Sequence, residues 1–597
     1  MKVLLTAVNA KYIHSNPGLY SLRAYAKRYE EHIEIAEYTI NNLKEEILAD
    51  IYKRQPDVVA FSCYIWNWEM IQDLCVELHK ILRSTDLWLG GPEVSFDAQE
   101  IVKQYPFLTG IMLGEGEVTF CELMSHYVDN VMEIGDICGI CTTQGYTPPR
   151  PLTDLSKIPF LYHTEKTPNR ETQNDRLEEG SIYGDLKDFQ NRIIYYESSR
   201  GCPFRCSYCL SSIDKQVRLR DISIVRKELQ FFLDNRVSQV KFVDRTFNCD
   251  HVHAMEIWKY LRENDNGVTN FHFEISADII NEEEIALLNT LRPGLVQLEI
   301  GVQTTNPKTL EAINRYVKFS HLKTIVEKIH AGKNIHTHLD LIAGLPYEDY
   351  DSFVTSFNDV YALHPEQLQL GFLKVLKGSE MHQRAEEYGI VYNSKPPYEI
   401  LYSKWLSYSN VLRLKKVEEM VELYYNSNQF TATIPVLERA FNSPFHLYQA
   451  LAEYYEERGY FVSSPARSYR YHVLLQFACS IHSENWEELI GELLTYDMYL
   501  RENLKSRPDF ALELEPYKEQ IRLFYQKEEE NRKYLPDYGA YRAKQLSKMT
   551  HLEPFHYPVW ESDTDVILER RQEPTFVLFD YQNRDALTYQ ARTERMI

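Results

Sequence analysis

Three cysteines within eight residues constrain this chain more than any other stretch of its sequence. Cys202, Cys206 and Cys209 are spaced C-x3-C-x2-C, directly after a short apolar run. Soft thiolates are the usual ligands of iron–sulfur clusters, and three of them can hold three irons of a [4Fe–4S] cube, with the fourth iron open to a small molecule. A structural zinc site normally needs four ligands. No second pair follows at zinc-finger spacing, although Cys249 or His251 could complete a site. The cluster is the stronger prediction.

The stretch Tyr196–Leu210, with Tyr208 directly before the third cysteine, resembles the cluster motif of the radical S-adenosylmethionine (SAM) superfamily. In that family the open iron of the cluster chelates the amino and carboxylate groups of SAM. The resemblance implies that Cys202, Cys206 and Cys209 bind the cluster and that Tyr208 lies against SAM. It also implies that an electron from the reduced cluster cleaves SAM to a 5′-deoxyadenosyl radical, so the cofactor carries the difficult chemistry and the protein positions it.

The chain is too long for a single hydrophobic core. Its 597 residues should form about three or four domains, and we predict boundaries at 1–150, 151–190, 191–380 and 381–597. A composition with 44% apolar and 25% charged residues is that of an ordinary globular protein. The formal net charge of −22 disfavours broad, non-specific nucleic-acid binding, which depends on clustered lysine and arginine.

Cysteine usage and hydropathy indicate the compartment. Ten cysteines in a chain of this length do not form a disulfide framework, and a three-thiolate cluster needs a reducing environment. No apolar run approaches the length of about 18–20 residues that spans a bilayer. Met1–Val8 is too short for a signal peptide and is typical of a first strand. We therefore expect a cytoplasmic protein without a membrane partner.

Short β-rich segments alternate with amphipathic helical stretches in residues 1–150, which predicts an open, mostly parallel, doubly wound α/β sheet. The predicted strands are Val3–Val8, Ile33–Tyr38, Val58–Tyr64, Leu87–Leu89 and Gly110–Leu113. Ligands of such sheets bind beyond the carboxyl ends of the strands, where glycine lets the backbone approach a ligand closely. The loops that follow these strands are therefore the candidate binding loops.

The order of these loops resembles the Rossmann-like cobalamin-binding domain found upstream of the cluster domain in many radical SAM enzymes. That family's histidine-ligated members carry D-x-H-x-x-G after the first strand. Here the nearest match, Tyr12–Gly18, lacks the aspartate and has another spacing to glycine, so we expect His14 to be a loop residue. The resemblance implies cobalamin contacts from eight positions: Tyr12, Ser62, Gly90, Gly91, Glu93, Gly114, Glu115 and Gly116.

Residues 151–190 are rich in proline and polar residues and are typical of a linker. In residues 191–380 six β-rich runs recur with helical stretches between them, which predicts a partial (β/α)6 TIM-like barrel. The predicted barrel strands are Ile193–Tyr196, Val240–Val243, Phe271–Ile275, Val296–Ile300, His338–Ile342 and Leu368–Val375. The functional residues of such barrels lie at the carboxyl ends of the strands.

Four polar residues of the barrel are similar to the SAM pocket of oxygen-independent coproporphyrinogen oxidase, another radical SAM enzyme. They are Glu274, Gln303 of a Gly-Val-Gln, Arg315 twelve residues further on, and Asp340 of Asp-Leu-Ile-Ala-Gly-Leu-Pro. The resemblance implies that these residues bind SAM. The chemistry is suitable, because carboxylates accept hydrogen bonds from ribose hydroxyls or an amino group and an arginine holds a carboxylate.

Further residues were considered for the substrate and for metal. Asp244, Arg245, Lys374 and Lys377 follow barrel strands and could face substrate. His336 and His338 alternate with the strand period and are more typical of core packing than of metal binding.

Residues 381–597 are mainly helical in pattern, with helices predicted at Glu399–Leu412, Lys416–Tyr425, Ile434–Tyr455, Arg470–Phe477, Trp486–Leu500 and Tyr517–Arg532, and a closing hairpin from Phe576–Asp580 and Ala586–Tyr589. This third resembles the helical C-terminal extension of some cobalamin-type radical SAM proteins and should cover the barrel mouth.

Cobalamin together with a radical SAM cluster implies radical methylation of an unactivated carbon. The radical would remove a hydrogen atom, and methylcobalamin, remethylated by a second SAM, would deliver the methyl group. One rival keeps both cofactors but performs a cyclisation, rearrangement or oxidation. The other is a cobalamin- or SAM-sensing protein that is not a catalyst. The substrate and the catalytic residues are not readable from the sequence, and an electron donor such as flavodoxin or ferredoxin is implied.

Overall fold

The computed structural model describes residues 1–163, 184–185, 189, 192–481, 486–564 and 566–596. Of the predicted linker at 151–190, residues 164–183, 186–188 and 190 lie outside the described residues. The first sheet has the strand order β2-β1-β3-β4-β5-β6-β7, and its first five strands run parallel. Its strands are β1 Val3–Asn9, β2 Ile33–Thr39, β3 Val58–Ser62, β4 Asp86–Gly90, β5 Gly110–Met112, β6 Ile140–Thr142 and β7 Gly145–Tyr146.

Helices cover both faces of this sheet, which confirms the doubly wound prediction. Every residue of β1 is buried, as expected for a parallel strand covered on both faces. Two separate apolar clusters form, one on each face, with Leu4 and Val8 in one and Val3, Leu5 and Ala7 in the other. The helices are α1 Pro17–Tyr25, α2 Lys44–Arg54, α3 Trp68–Ile81, α4 Pro92–Ser95, α5 Ala98–Gln104 and α6 Gly116–Met124.

The second sheet consists of six parallel strands in sequential order, which confirms the partial barrel. Two short strands precede it, β8 Tyr162–His163 and β9 Gly184–Asp185. The barrel strands are β10 Ile194–Tyr196, β13 Gln239–Phe242, β14 Asn270–Ile275, β15 Val296–Gln303, β16 His336–Ala343 and β17 Gln367–Phe372; between the first two, β11 Ser199–Arg200 pairs with β12 Arg218–Leu219. Its helices are α7 Ile222–Asp234, α8 His251–Glu263, α9 Glu282–Leu288, α10 Pro307–Ala312, α11 Phe319–His330, α12 Tyr350–Tyr361 and α13 Glu380–Arg384.

Side chains alternate between the two faces of the barrel strands. On β14, Phe271 and Phe273 belong to the large apolar core, whereas His272 and Glu274 point to the other face. On β16, Leu339 is in the same core and the alternating residues are polar. The outer face therefore packs on helices, and the inner face presents polar groups to the barrel interior.

Ion pairs hold the two sheets together. The cations belong to the barrel half, and the carboxylates follow or belong to strands of the first sheet. The pairs include Arg192 Nη1–Glu37 Oε2 at 2.7 Å, Arg200 Nη2–Glu117 Oε1 at 2.9 Å, Arg218 Nη2–Glu115 Oε1 at 2.5 Å and Lys377 Nζ–Asp97 Oδ2 at 2.7 Å. The carboxyl edge of the first sheet therefore lies against the barrel and against the loop at 201–217, which carries the three cysteines and is called the cluster loop below.

The C-terminal third is mainly helical, as predicted. After a short hairpin of β18 Val391–Tyr392 and β19 Ile400–Tyr402, its helices are α14 Tyr408–Val421, α15 Thr433–Glu438, α16 Pro444–Glu457, α17 Tyr469–Ile481, α18 Trp486–Arg501, α19 Lys518–Asn531 and α20 Ala543–Met549. Hydrogen-bonded tyrosine pairs lie in its core, such as Tyr424 and Tyr455, whose hydroxyl oxygens are 2.5 Å apart. A three-stranded antiparallel sheet of β20 Thr550–Phe555, β21 Thr575–Arg584 and β22 Ala591–Met596 closes the chain.

Three predicted boundaries in this third are wrong. The predicted helix 399–412 begins only at Tyr408, because residues 400–402 form β19. The predicted helix 434–455 is two helices, since Pro444 occupies the first turn of α16 and cannot continue the preceding helix. The predicted strand 586–589 is a turn, in which Asp585 Oδ1 accepts hydrogen bonds from the backbone of Leu587 and Thr588.

No helix in the described part of the chain is both long enough and apolar enough to cross a membrane.

The buried Glu348 carboxyl, between β16 and α12, should make the stability of this fold pH-dependent. Burial raises the pKa of Glu348 from 4.5 to about 8, although Ser356 Oγ donates to its Oε1 at 3.1 Å. Between these values the folded state holds a proton that the unfolded state has lost, so stability falls as pH rises through this window. We expect Glu348→Gln to flatten the fall of the apparent Tm between about pH 5 and about pH 8. An unchanged slope in the variant would show that Glu348 does not titrate there.

Candidate cofactor sites

The loop that carries the three cysteines begins directly after the first barrel strand. Its entry is fixed by Gly201, which has a φ of +97° and whose Cβ, if it had one, would lie 2.4 Å from the carbonyl oxygen of Gln216. Only glycine fits this position without displacing the backbone. The amide of Cys202 donates to Asp214 O at 3.1 Å and that of Cys209 to Cys206 O at 3.1 Å. The backbone therefore presents all three thiols from one compact loop.

The thiol groups of this loop fit an iron–sulfur cluster. All three are free of disulfides, Cys202 is buried and the other two are half-buried. Arg315 Nη1 lies 3.9 Å from Cys206 Sγ. Burial raises the pKa of the Cys206 thiol, and the guanidinium opposes that rise. A half-buried thiol set with a cation beside it suits anionic thiolate ligands. The assignment of these cysteines as ligands stays a prediction.

The predicted SAM residues come together around the cluster loop. Gln303 ends β15, and Asp340 lies beside Gly301 in the register of β16 with β15. Arg315 Nη2 donates to Gly301 O at 2.6 Å, and Nη1 lies 3.4 Å from Tyr208 Oη. Glu274 is on the inner face of β14, two strands from Asp340. Residues from three strands and two loops thus line a single region of the barrel mouth.

Two of these predicted SAM residues carry buried polar atoms that have no hydrogen-bond partner among the described residues. The atoms are Gln303 Oε1 and Arg315 Nε. Burying a polar atom without a partner costs free energy, so such atoms are rare unless a ligand or water satisfies them. The arrangement therefore fits a polar ligand of the size and chemistry of SAM. The four SAM contacts themselves stay predictions.

A charged belt on the inner barrel face was missed by sequence reasoning. Lys241 Nζ lies 3.0 Å from Glu299 Oε2, and His272 Nε2 lies 3.0 Å from the same oxygen. His338 Nε2 lies 3.0 Å from Asp340 Oδ1. His338 and Asp340 are two residues apart on β16, whereas Lys241, His272 and Glu299 are far apart in sequence and meet only because neighbouring strands place them side by side. The only signal in the sequence is that polar residues alternate with apolar ones on four successive strands.

Burial and the neighbouring charges of the belt shift the pKa values of its carboxyl groups. Although burial opposes the change, His272 and Lys241 lower the pKa of Glu299 to about 2. Burial and the charge of Glu299 raise the pKa of Glu274 to about 7. One oxygen of Glu299, one of Asp340 and one nitrogen of His338 lie within 4.8 Å of one another. Lys241 already supplies a cation to Glu299, so the geometry does not require a metal ion there.

A cavity of about 500 Å³ lies between the carboxyl edge of the first sheet and the barrel. Its walls come from the domain of the first sheet (the first half) and from the barrel with the stretch that precedes it (the barrel half). The barrel half contributes Tyr195, Glu197 and Arg200, among others. Of the predicted cobalamin residues, those that line it are Ser62, Gly90, Gly91, Gly114, Glu115 and Gly116. A Cβ on Gly114 would meet nothing within 4 Å, so the backbone is open to the cavity there. This edge therefore fits a large ligand that approaches the backbone closely.

Two predicted cobalamin residues lie outside this lining, and one within it has protein partners. Tyr12 is 62% exposed, with Arg192 stacked 4.9 Å from its ring centre. The buried Glu93 carboxyl accepts a hydrogen bond from Tyr398 Oη. Glu115 binds Arg218 at 2.5 Å, and these two ionised groups join the sheet to the cluster loop. All eight cobalamin contacts stay predictions.

The residues predicted to face substrate lie in different environments. Asp244 is fully buried and accepts from Ser198 Oγ at 2.7 Å and Ser199 Oγ at 2.6 Å, so it holds the strand end behind the cluster loop rather than facing substrate. Lys377 Nζ binds Asp97 at 2.7 Å and is an interdomain contact. Arg245 lines the cavity between the two halves.

A doubly wound sheet whose glycine-rich edge faces a six-stranded parallel barrel with a three-cysteine loop is the arrangement typical of radical SAM proteins that carry a cobalamin-binding domain. Family models agree. The B12 binding domain matches residues 3–124, the radical SAM superfamily matches residues 196–360, and a protein family of unknown function (DUF4080) matches residues 386–579. The chain therefore carries a B12-binding domain followed by a radical SAM domain, and its cofactors are cobalamin, a [4Fe–4S] cluster and SAM.

Two curated methyltransferases match half or slightly more of this chain. The 2-(S-pantetheinyl)-carbapenam-3-carboxylate methyltransferase of Streptantibioticus cattleyicolor is 26% identical over 50% of this chain and 44% of its own length. The cobalamin-dependent radical SAM methyltransferase TokK of Streptomyces tokunonensis is 24% identical over 56% and 50%. The chain thus spans about half the length of these relatives. The solved cobalamin-dependent SAM radical enzyme OxsB is similar in fold, with a TM-score of 0.55 at 15% identity over 82% of this chain and 78% of OxsB.

Proposed function

We propose that this chain is a cobalamin-dependent radical SAM methyltransferase that acts on an unactivated carbon of its substrate. One observation carries the proposal: the cavity of about 500 Å³ is lined on one side by the glycine loops of the B12-binding domain and on the other by the barrel half near the cluster loop. A substrate in that cavity lies between the two cofactor sites. The names of two curated relatives, both methyltransferases, support the same reaction class.

In this proposal the residues of the chain bind the cofactors and orient the substrate. Cys202, Cys206 and Cys209 would hold the cluster, and the unpartnered atoms of Gln303 and Arg315 would hold polar groups of SAM. When bound, the cluster and SAM supply a radical that removes a hydrogen atom from carbon, and cobalamin supplies the methyl group. The walls of the cavity keep water from that radical and hold the reacting carbon in place.

A rival reaction class keeps both cofactors. OxsB, whose fold this chain shares, is described as a cobalamin-dependent SAM radical enzyme and not as a methyltransferase. A cyclisation, rearrangement or oxidation would use the same cavity without methyl transfer. The two readings differ in what becomes of SAM, because only methylation consumes SAM in both ways, as a radical source and as a methyl donor.

We expect the anaerobically reconstituted protein, given SAM, reductant and its substrate, to form both 5′-deoxyadenosine and S-adenosylhomocysteine, read by mass spectrometry. The Cys202→Ala variant should form no 5′-deoxyadenosine. Formation of 5′-deoxyadenosine without S-adenosylhomocysteine would favour the cyclisation, rearrangement or oxidation. Formation of neither product by a folded, cofactor-loaded protein would favour a sensor.

We infer that the protein works in the cytoplasm, because a cluster held by three thiolates needs a reducing compartment. It also needs an external electron donor, for which a flavodoxin or a ferredoxin is suitable.

A further inference from the structure

The charges that line the cavity between the two halves are paired, with one exception. The lining carboxylates are Glu115, Glu117, Glu197 and Glu228, and the lining guanidinium groups are those of Arg200, Arg220 and Arg245. Arg200 binds three of the carboxylates, at distances of 3.4, 2.9 and 2.7 Å. Arg220 binds the fourth, Glu228, at 2.5 Å. Every lining carboxylate therefore already has a guanidinium partner.

Arg245 is the exception. Its guanidinium has no hydrogen bond or ion pair within the part of the chain that the structure describes, although the residue is exposed and lines the cavity. Its backbone is held in place, because the neighbouring Asp244 is fully buried and bound by Ser198 and Ser199. The guanidinium thus lines the cavity without a direct partner, and its charge acts on Tyr64 of the cavity wall and on Glu274 of the inner barrel face.

Most of the uncharged residues that line the cavity are apolar or aromatic. They include Tyr64, which follows β3, and Phe160 and Tyr162 from the stretch before the barrel. A guanidinium forms its strongest hydrogen bonds with carboxylates and phosphates, which it holds through two parallel N–H donors. A concave, mostly apolar site with one such group selects a ligand that has an apolar body and one anionic group.

We propose that Arg245 binds the anionic group, a carboxylate or a phosphate, of the substrate. The inference rests on the proposed function and gives it a substrate class: an acid with an aromatic or aliphatic body whose reacting carbon lies away from the charged end. The charge is held at the barrel side of the cavity, which leaves the rest of the molecule between the two cofactor sites.

Benzoate and its neutral isostere benzamide test this directly. The protein is loaded with the oxidised cluster, cobalamin and saturating SAM, so that no turnover occurs and the anionic groups of both cofactors are already in place. Calorimetry should find benzoate binding at least about tenfold more tightly than benzamide, since a hydrogen bond to a charged group contributes a factor of this size. Arg245→Gln should remove the difference, and Arg245→Lys should retain part of it. Arg236→Gln is the matched control, an exposed arginine at the opposite end of the same strand.

An equal preference for benzoate in wild type and Arg245→Gln would overturn the assignment. Two further measurements separate the sources of the anion. Cobalamin content and SAM affinity should be the same in Arg245→Gln as in wild type, and a loss of either would assign Arg245 to the cobalamin phosphate or the SAM carboxylate instead. If wild type binds no cobalamin or forms no cluster, the proposed function fails. The benzoate preference of the cofactor-free chain then tests Arg245 on its own.

Discussion

Replacing any one of Cys202, Cys206 and Cys209 with alanine should abolish the iron–sulfur absorbance of the reconstituted protein and reduce its iron and sulfide content to background. With only two thiolates left, a cube loses one of three protein anchors, and the fourth iron already has none. The readout is visible absorbance together with iron and sulfide per chain. Wild type should bind about four irons.

Cys249→Ala is the matched control, because Cys249 is the one other cysteine near the loop and a possible fourth ligand of a zinc site. It lies in a short helical turn directly before α8, and we expect its loss to leave the cluster intact. His251, the other possible zinc ligand, binds Glu284 Oε1 at 2.9 Å through Nδ1. Zinc instead of iron in the wild type, lost from Cys249→Ala, would contradict the cluster. A full cluster in any of the three loop variants would contradict the ligand set.

The parts of this protein that could be predicted from sequence are those whose signal is local. The cysteine loop is one, since its ligands lie within eight residues. The parallel strands are another, because a strand buried on both faces gives a continuous apolar run such as Val3–Val8. Both sheets were predicted with the correct number of parallel strands and with ends displaced by only a few residues.

The parts that could not be predicted depend on contacts between distant segments. Lys241, His272 and Glu299 form one charged group, but each pair is separated by about thirty residues or more and only strand register brings them together. Nothing near Glu93 in the sequence indicates that Tyr398, some three hundred residues away, would bind it. The C-terminal helix boundaries failed for a different reason: the apolar period continues across the break before Pro444.

Arg245 illustrates both what could and what could not be predicted from the sequence. Its position after a barrel strand is a local signal, which made it a candidate for substrate contact. Its neighbour Asp244 carried the same signal but turned out to be a buried anchor for Ser198 and Ser199. In the loop after β13, Asp244 is buried against two serines, whereas Arg245 is exposed and lines the cavity. Sequence position alone therefore selects the pair, and only the fold separates the anchor from the free group.

Arg315→Ala should weaken SAM binding by about ten- to a hundredfold while the cluster stays intact. The guanidinium is fixed by Gly301 O at 2.6 Å and by Tyr208 Oη at 3.4 Å. Its Nε is buried with no partner among the described residues, as expected of a donor that awaits a ligand oxygen. A hydrogen bond to a charged group contributes about 1.5–3 kcal/mol, and each 1.36 kcal/mol is tenfold in affinity. Equilibrium binding of SAM to the oxidised protein measures the loss without turnover.

The conservative variant separates binding from structural support. Arg315→Lys keeps a cation beside Cys206 but lacks the planar fork that reaches Gly301 O and a carboxylate at once. If Arg315 binds SAM, the lysine variant should keep the cluster and recover only part of the affinity. If Arg315 only neutralises the thiolates, lysine should restore SAM affinity fully and alanine should lose the cluster as well. Cluster content and SAM affinity, measured on the same samples, decide between the two roles, because a residue that binds SAM changes the affinity and leaves the iron in place.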